Sequence, residues 1–321
     1  MKRFFTCAAS VLLLLSFLAA PSLAETKRQK VDAVVVASFG TSYPVALKSI
    51  LAIDREMRKA FPGAEVKHAF TSNIIREIWH ERAGDAAWQK ANPEVPSWLY
   101  EVKGPLATMG QLQEEGKKRV VVQTTHVYAG EEYLDLKAYV DAISGIRTLR
   151  AKWRPFSFMK LGRPALGKPG LHPDYHEDIE EAAKAVASDV AKAKKLGAAL
   201  VYMGHGNDIF PTSSYIEFEK VMNELYPEVV TISGNVEGFP GLNHVKETLK
   251  AKGIKKIFMK PFMVVAGDHA RNDMAGDEED AWKVVFEEMG VDVKVELMGL
   301  GENPSWAKLY ARHAIDAVTT H

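Results

Sequence analysis

Apolar positions fall into short runs separated by longer amphipathic stretches, and the alternation is regular. Val31 to Phe39 is a nearly unbroken β-branched and apolar run that stops at Gly40. A strand buried on both faces of a parallel sheet has this character, whereas a half-exposed strand would alternate. Glu65–Ala69, Arg119–Gln123, Ser157–Lys160, Ala198–Met203, Val229–Ser233, Lys256–Met259 and Val291–Leu297 read as further strands. Between them Pro44–Phe61, His176–Lys195, Ser214–Leu225 and Gly241–Lys252 carry helical periodicity. Strands alternating with helices predict βα units and an α/β fold with parallel sheets flanked by helices.

The pattern also repeats. Asp32–Gly40 (DAVVVASFG) resembles Ala198–Gly206 (AALVYMGHG), an apolar strand closing on a glycine turn. Later in each half a basic-led strand reaches an Ala-Gly-acid turn: KRVVVQTTHVYAGEE ends at Glu132 and KKIFMKPFMVVAGDH at His269. Two pairs in the same order predict two similar lobes with a cleft between them. The Pro- and Gly-rich stretch Trp153–Pro173 reads as the crossover, with residues 29–160 forming the N-terminal lobe and 161–321 the C-terminal lobe.

The first residues read differently. Lys2 and Arg3 precede an apolar run from Phe4 to about Ala20, and Pro21-Ser22-Leu23-Ala24 supplies small residues, so residues 1–24 are expected to be a cleavable export signal and the mature protein periplasmic. Cys7, the one cysteine, lies inside that segment, so a metal held by the mature chain must rest on His, Asp or Glu. With 41 basic and 41 acidic residues the chain makes no electrostatic case for nucleic acid. No membrane partner is expected after signal cleavage. Neither a Walker A sequence nor a strand followed by Gly-x-Gly-x-x-Gly is found, so no nucleotide cofactor is expected. A Gly-x-Ser-x-Gly elbow and a His-Glu-x-x-His helix are also missing.

Ligand sites in such sheets lie beyond the carboxyl ends of the strands. His205, between Gly204 and Gly206, is placed there, and so are Glu237 in SGNVEGFPG and His269 in PFMVVAGDHARND. Two imidazoles and a carboxylate form an open site for a divalent transition ion, with Asp268 beside His269 as a candidate to orient its ring. The competing reading of His205 is a loop histidine bonded to backbone. His126, with Glu131 and Glu132 nearby, is a second cluster, either facing the same cleft or packing the lobe interface. Asp277-Glu278-Glu279-Asp280 reads as a helix N-terminus more readily than as a metal-entry path. The other histidines are expected to be surface or structural.

VVVASFGTSYP, AFTSNIIR at Ala69–Arg76, HVYAGEEY, VYMGHGND, the Glu237 turn, MVVAGDHARNDMAGDEEDAWK and LMGLGENPSW follow one another over nearly all of the mature chain. In these the chain resembles the anaerobic sirohydrochlorin cobaltochelatases of the CbiK type, class II tetrapyrrole chelatases. The resemblance implies two similar α/β lobes around a cleft that holds the macrocycle, with His205, Glu237 and His269 as metal ligands and both histidines catalytic. It implies ATP-independent insertion of Co²⁺, a substrate metal, into sirohydrochlorin on the way to cobalamin (vitamin B12). Fe²⁺ insertion to give sirohaem is the alternative, as is a periplasmic tetrapyrrole or metal carrier that has kept the fold. Substrate carboxylates are expected on the Ser38–Ser42 turn (Ser38, Gly40, Thr41, Ser42) and Arg271, with His126 and Glu132 also in the cleft, and a homo-oligomer is expected. The export signal and the extra length around Trp88–Trp98 and the crossover depart from the family pattern.

Overall fold

A computed structural model describes residues 27–170, 174–209 and 212–320. Ten strands are found among them: β1 (Lys27–Arg28), β2 (Ala33–Ser38), β3 (Glu65–Phe70), β4 (Arg119–Thr124), β5 (Phe158–Gly162), β6 (Ala199–Gly206), β7 (Thr231–Glu237), β8 (Lys256–Pro261), β9 (Asp292–Val295) and β10 (Thr319–Thr320). Two four-stranded sheets, in the orders β3-β2-β4-β5 and β7-β6-β8-β9, are parallel throughout. The two orders are the same arrangement repeated, as the internal sequence repeat predicts. In β2 every residue from Ala33 to Ser38 is buried, the result of covering both faces with helices.

The eight strands read from the sequence are all present, with ends shifted by a few residues. His176–Lys195 is two helices, Tyr175–Ala185 and Ala187–Leu196, broken at Val186. The proposed crossover contains β5, so the first sheet runs to Gly162, and the true passage between sheets begins at Arg163. Two features had no signal in the periodicity. β1 pairs antiparallel with β10, tying the two ends of the described chain together. The C-terminal helix Pro304–Ala317 follows the second sheet in sequence but returns to pack on helix Leu47–Ala60, β4 and β5 of the first.

One apolar core therefore spans both lobes. Val34, Val121, Ile53 and Met57 from the first half join Tyr202, Tyr215, Phe218 and Phe262 from the second, with Trp306 and Tyr310 of the last helix between them. The seam is also polar. Arg163 lies against Asp178 with Nε 2.6 Å from Oδ2, and His313 Nε2 stands 3.2 Å from Oδ1 of the same carboxylate. Burial opposes ionisation of Asp178, but hydrogen bonds from His313 and Arg163 outweigh it and hold the carboxyl below its usual range.

The export segment, residues 1–24, lies outside the described residues, as do His172, Pro173 and His321. His68, His80, His176 and His244 have structural partners: Asp54, the Val102 carbonyl, Glu217 and Glu219. Asp277–Asp280 precedes the helix Trp282–Glu288 without entering its first turn, and Asp277 pairs with Lys283.

Candidate active site

The carboxyl ends of the two sheets face one cavity of ≈ 430 Å³. Its C-terminal wall is built around a histidine pair. His205 is the penultimate residue of β6, and Gly206 after it has φ +81°, a conformation that side chains disfavour. A Cβ on Gly206 would stand 1.9 Å from the Glu237 carbonyl oxygen. The bare backbone lets β6 and β7 run together to their ends, pairing Gly206 with Glu237. This sets the Glu237 carboxylate beside His205, with Oε2 3.9 Å from Nδ1.

Both imidazoles are oriented through Nδ1. That of His205 lies 3.1 Å from the Gly206 carbonyl oxygen, which also accepts from the Tyr128 hydroxyl at 3.1 Å. That of His269 lies 2.5 Å from Asp273 Oδ2. A carbonyl and a carboxylate can only accept, so Nδ1 is the donor in each contact, and in the neutral ring Nε2 is the nitrogen available to a metal. The rings meet edge to face, with centroids 4.9 Å apart and planes at 81°. Among the described residues no three His, Asp or Glu side chains already surround a common point.

Asp268, the sequence-based choice to orient His269, has a different partner. After β8 the chain does not continue as a strand; it enters a π-turn, Ala270–Met274, that brings Asp273 back to His269. Asp268 instead accepts from the Tyr43 hydroxyl at 2.8 Å and from Asn272 Nδ2 at 3.0 Å. The Tyr43 contact crosses the cleft between lobes. Arg271 lies over the Tyr43 ring, 5.1 Å from its centroid, at the edge of the cavity and not in its wall.

The N-terminal wall carries an apolar patch. Ser72 caps the helix Asn73–Ala83 by accepting from Ile75 N, which presents Ile74, Ile75 and Ile78 to the cavity with Phe39. Phe39 and Ile74 are 44% and 70% exposed, well above ordinary core residues. Ser38, Gly40, Thr41 and Ser42 do line the cavity, as expected, but their turn is already held from behind. Thr125 donates to Ser38 Oγ, Trp79 Nε1 to the Thr41 carbonyl, and Arg82 to the Ser42 carbonyl. Arg82 is in turn stacked over Trp79 and Trp88, so the extra segment around Trp88 serves to brace this turn.

His126 and Glu132 both line the same cavity, which places the second cluster in the cleft. His126 Nδ1 stands 2.6 Å from Thr124 Oγ1, and its buried Nε2 has no hydrogen-bond partner. Burial pushes this imidazole below its ordinary pKa and favours the neutral ring. Glu131 is not part of the wall. Residue-by-residue reading of the sequence missed Asp273, Tyr43, Tyr128 and Phe39. Only Phe39 had a usable signal: laying DAVVVASFG on AALVYMGHG puts it opposite His205.

Comparison with known proteins agrees with this architecture. A family model described as cobalt chelatase (CbiK) matches residues 32–319. The chain is 30% identical over 288 residues to the sirohydrochlorin cobaltochelatase of Salmonella typhimurium, covering 89% of this chain and 96% of that protein. It is 28% identical over 286 residues to the sirohydrochlorin cobaltochelatase CbiKC of Nitratidesulfovibrio vulgaris, covering 89% of this chain and 90% of that one. Among solved structures, SirB from Bacillus subtilis with Fe³⁺ superimposes with a TM-score of 0.57 at 13% identity, over 89% of this chain and 95% of that one. The sirohydrochlorin chelatase SirB in complex with cobalt gives 0.54, also at 13% identity, over 89% of this chain and 94% of that one. These last two likenesses speak to the fold alone.

Proposed function

The chain belongs to the cobalt chelatase (CbiK) family, and from that premise we propose that it inserts Co²⁺ into sirohydrochlorin without ATP. The observation that carries the reading is the pair His205 and His269, rings 4.9 Å apart, on one wall of a cleft whose other wall is Phe39 and three isoleucines. A flat macrocycle lies against the apolar wall, and the histidine Nε2 atoms deliver the ion to its exposed nitrogens. Glu237 completes the metal site by turning its carboxylate toward the ion. The metal is a substrate, so a site that releases it is better left open than closed on every side.

Insertion displaces two pyrrole N–H protons, which need acceptors in the cleft. In this reading His205 and His269 take part in that deprotonation, and His126 and Glu132 line the path by which protons leave. Cobalt as the metal is supported by the family's description and by the activity of the relatives in Salmonella and Nitratidesulfovibrio. The reading also takes the mature protein as exported and homo-oligomeric, the former on the strength of the apolar run near its start.

The test is an anaerobic assay of the mature protein with sirohydrochlorin, comparing Co²⁺ with Fe²⁺. Catalytic formation of cobalt-sirohydrochlorin faster than sirohaem is expected. Preference for Fe²⁺ would reassign the metal. Stoichiometric binding of both ligands without turnover would make the protein a carrier.

A further inference from the structure

The N-terminal lobe carries a second surface, at the opposite end from the cleft. The loop after helix Glu131–Gly145 exposes Ile146 (44%), Leu149 (109%) and Trp153 (66%). Leu149 is as open as in an extended peptide. Interleaved with these are Arg147, Arg150, Lys152 and Arg154, all exposed, and none has an ion pair among the described residues. Lys152 Nζ lies 4.9 Å from the centroid of the neighbouring Trp153 ring. From Ala142 to Pro173 the chain contains seven basic residues and not one Asp or Glu, in a sequence whose total charge is balanced.

Its position in the fold is defined. Lys118, just before β4, donates from Nζ to the carbonyls of Arg154 and Pro155, and its backbone N–H donates to Asp32, just before β2. The loop thus lies at the amino ends of the strands, one strand length (about 20 Å) from the cavity at their carboxyl ends. The described chain enters the fold at this same end, through Lys27 and Arg28. A surface engaged here leaves the cleft open.

We propose that the loop Ile146–Pro155 docks the protein on an anionic lipid surface, with Leu149, Trp153 and Ile146 entering the headgroup region and the four cations paired with lipid phosphates. Charge complementarity favours a polyanion, and the aliphatic residues choose between polyanions. Leucine and isoleucine gain nothing from stacked bases but gain from leaving water among acyl chains. Tryptophan and long cations suit the interface, where an apolar body and a polar tip are both satisfied. No described helix is long and apolar enough to cross a membrane, so the contact is peripheral. Three inserted side chains and four cations give reversible attachment. This departs from the sequence-based expectation of no membrane partner, and it does not depend on the chelatase reading.

The experiment is co-sedimentation of the mature protein with vesicles of phosphatidylethanolamine and phosphatidylglycerol, and with phosphatidylcholine vesicles. Partition onto the anionic vesicles alone is expected, weakening as salt is raised. Leu149→Glu should lower it by about tenfold or more, and Arg150→Gln by about fivefold. Metal-insertion turnover without vesicles should not change in either variant. No partition at low salt overturns the proposal, as does partition indifferent to Leu149→Glu. Binding to transfer RNA that Arg150→Gln weakens and Leu149→Glu does not would assign the surface to nucleic acid instead. Dissociation of an oligomer by Leu149→Glu, with no lipid binding by the parent, would assign it to a second copy of the chain.

Discussion

Phe39 and His205 occupy the same place in two copies of one motif. Each is the residue before the glycine that closes its sheet's central strand run, and both look into the same cleft. The later motif gives a matching pair: Glu132 and His269 each stand two residues past an Ala-Gly turn. The C-terminal lobe thus offers two imidazoles where the N-terminal lobe offers a phenyl ring and a carboxylate. The backbone repeat supplies two equivalent shelves, and the side chains on them divide the work. In the proposed function one shelf supplies nitrogen donors for the metal, and the other an apolar face for the ring with an acid at its margin. Ligand placement is a property of the scaffold, whereas ligand chemistry is a property of a few positions on it.

The division of labour can be broken most severely on the metal side. His205→Ala and His269→Ala should each reduce cobalt insertion on the order of a thousandfold or more, about 4 kcal/mol of barrier, with circular dichroism unchanged. Substantial turnover in either variant would remove the two-histidine assignment. The seam that holds the shelves in register is next. Asp178→Asn removes the buried one of Arg163's two carboxylate partners and leaves only Asp316, so it should destabilise the fold by about 2 kcal/mol, read from denaturant melts. The wild-type acid limb follows from the same group. Its folded pKa lies below the unfolded value of about 4, so its contribution is complete above that pH and is lost as pH falls through the folded value. The Asn variant should lose that component of the acid transition.

Two smaller effects sharpen the contrast. Asp273→Ala, which frees the His269 ring, should weaken Co²⁺ affinity by roughly 10–100-fold while the KM for sirohydrochlorin stays the same. Equal loss for both ligands would mean a general disturbance of the cleft. Phe39→Ala should do the reverse. It raises the KM for the macrocycle by about tenfold, as expected for removing a partly buried aromatic contact, and leaves Co²⁺ binding intact.

Much of this was legible before the structure. The strands stood out because a parallel sheet buried on both faces needs near-continuous Val, Ile and Ala, and few other elements tolerate that. His205, Glu237 and His269 were candidates because polar residues near glycines past strand ends have no evident packing role, a weak signal that the family resemblance sharpened to these three. Phe39 was missed for the opposite reason: an apolar residue ending an apolar strand reads as core, and only its place opposite His205 in the internal repeat sets it apart. Asp273 was hidden by conformation. With GDHARND read as the end of a strand, Asp268 is the nearest carboxylate in sequence, and only the π-turn shows that Asp273 is the nearest in space. The return of helix Pro304–Ala317 to the first lobe was equally unreadable, since an amphipathic helix does not state which sheet it covers.

The central claim is that metal affinity resides in the C-terminal shelf alone. Its most direct test is calorimetric titration of Co²⁺ into the parent protein, His205→Ala and Phe39→Ala, under anaerobic conditions and without the macrocycle. The account expects Phe39→Ala to bind as the parent does, and His205→Ala to lose more than the roughly hundredfold that follows from removing an outer partner of a metal ligand. Cobalt binding undiminished in His205→Ala, or lost equally in both variants, would contradict it.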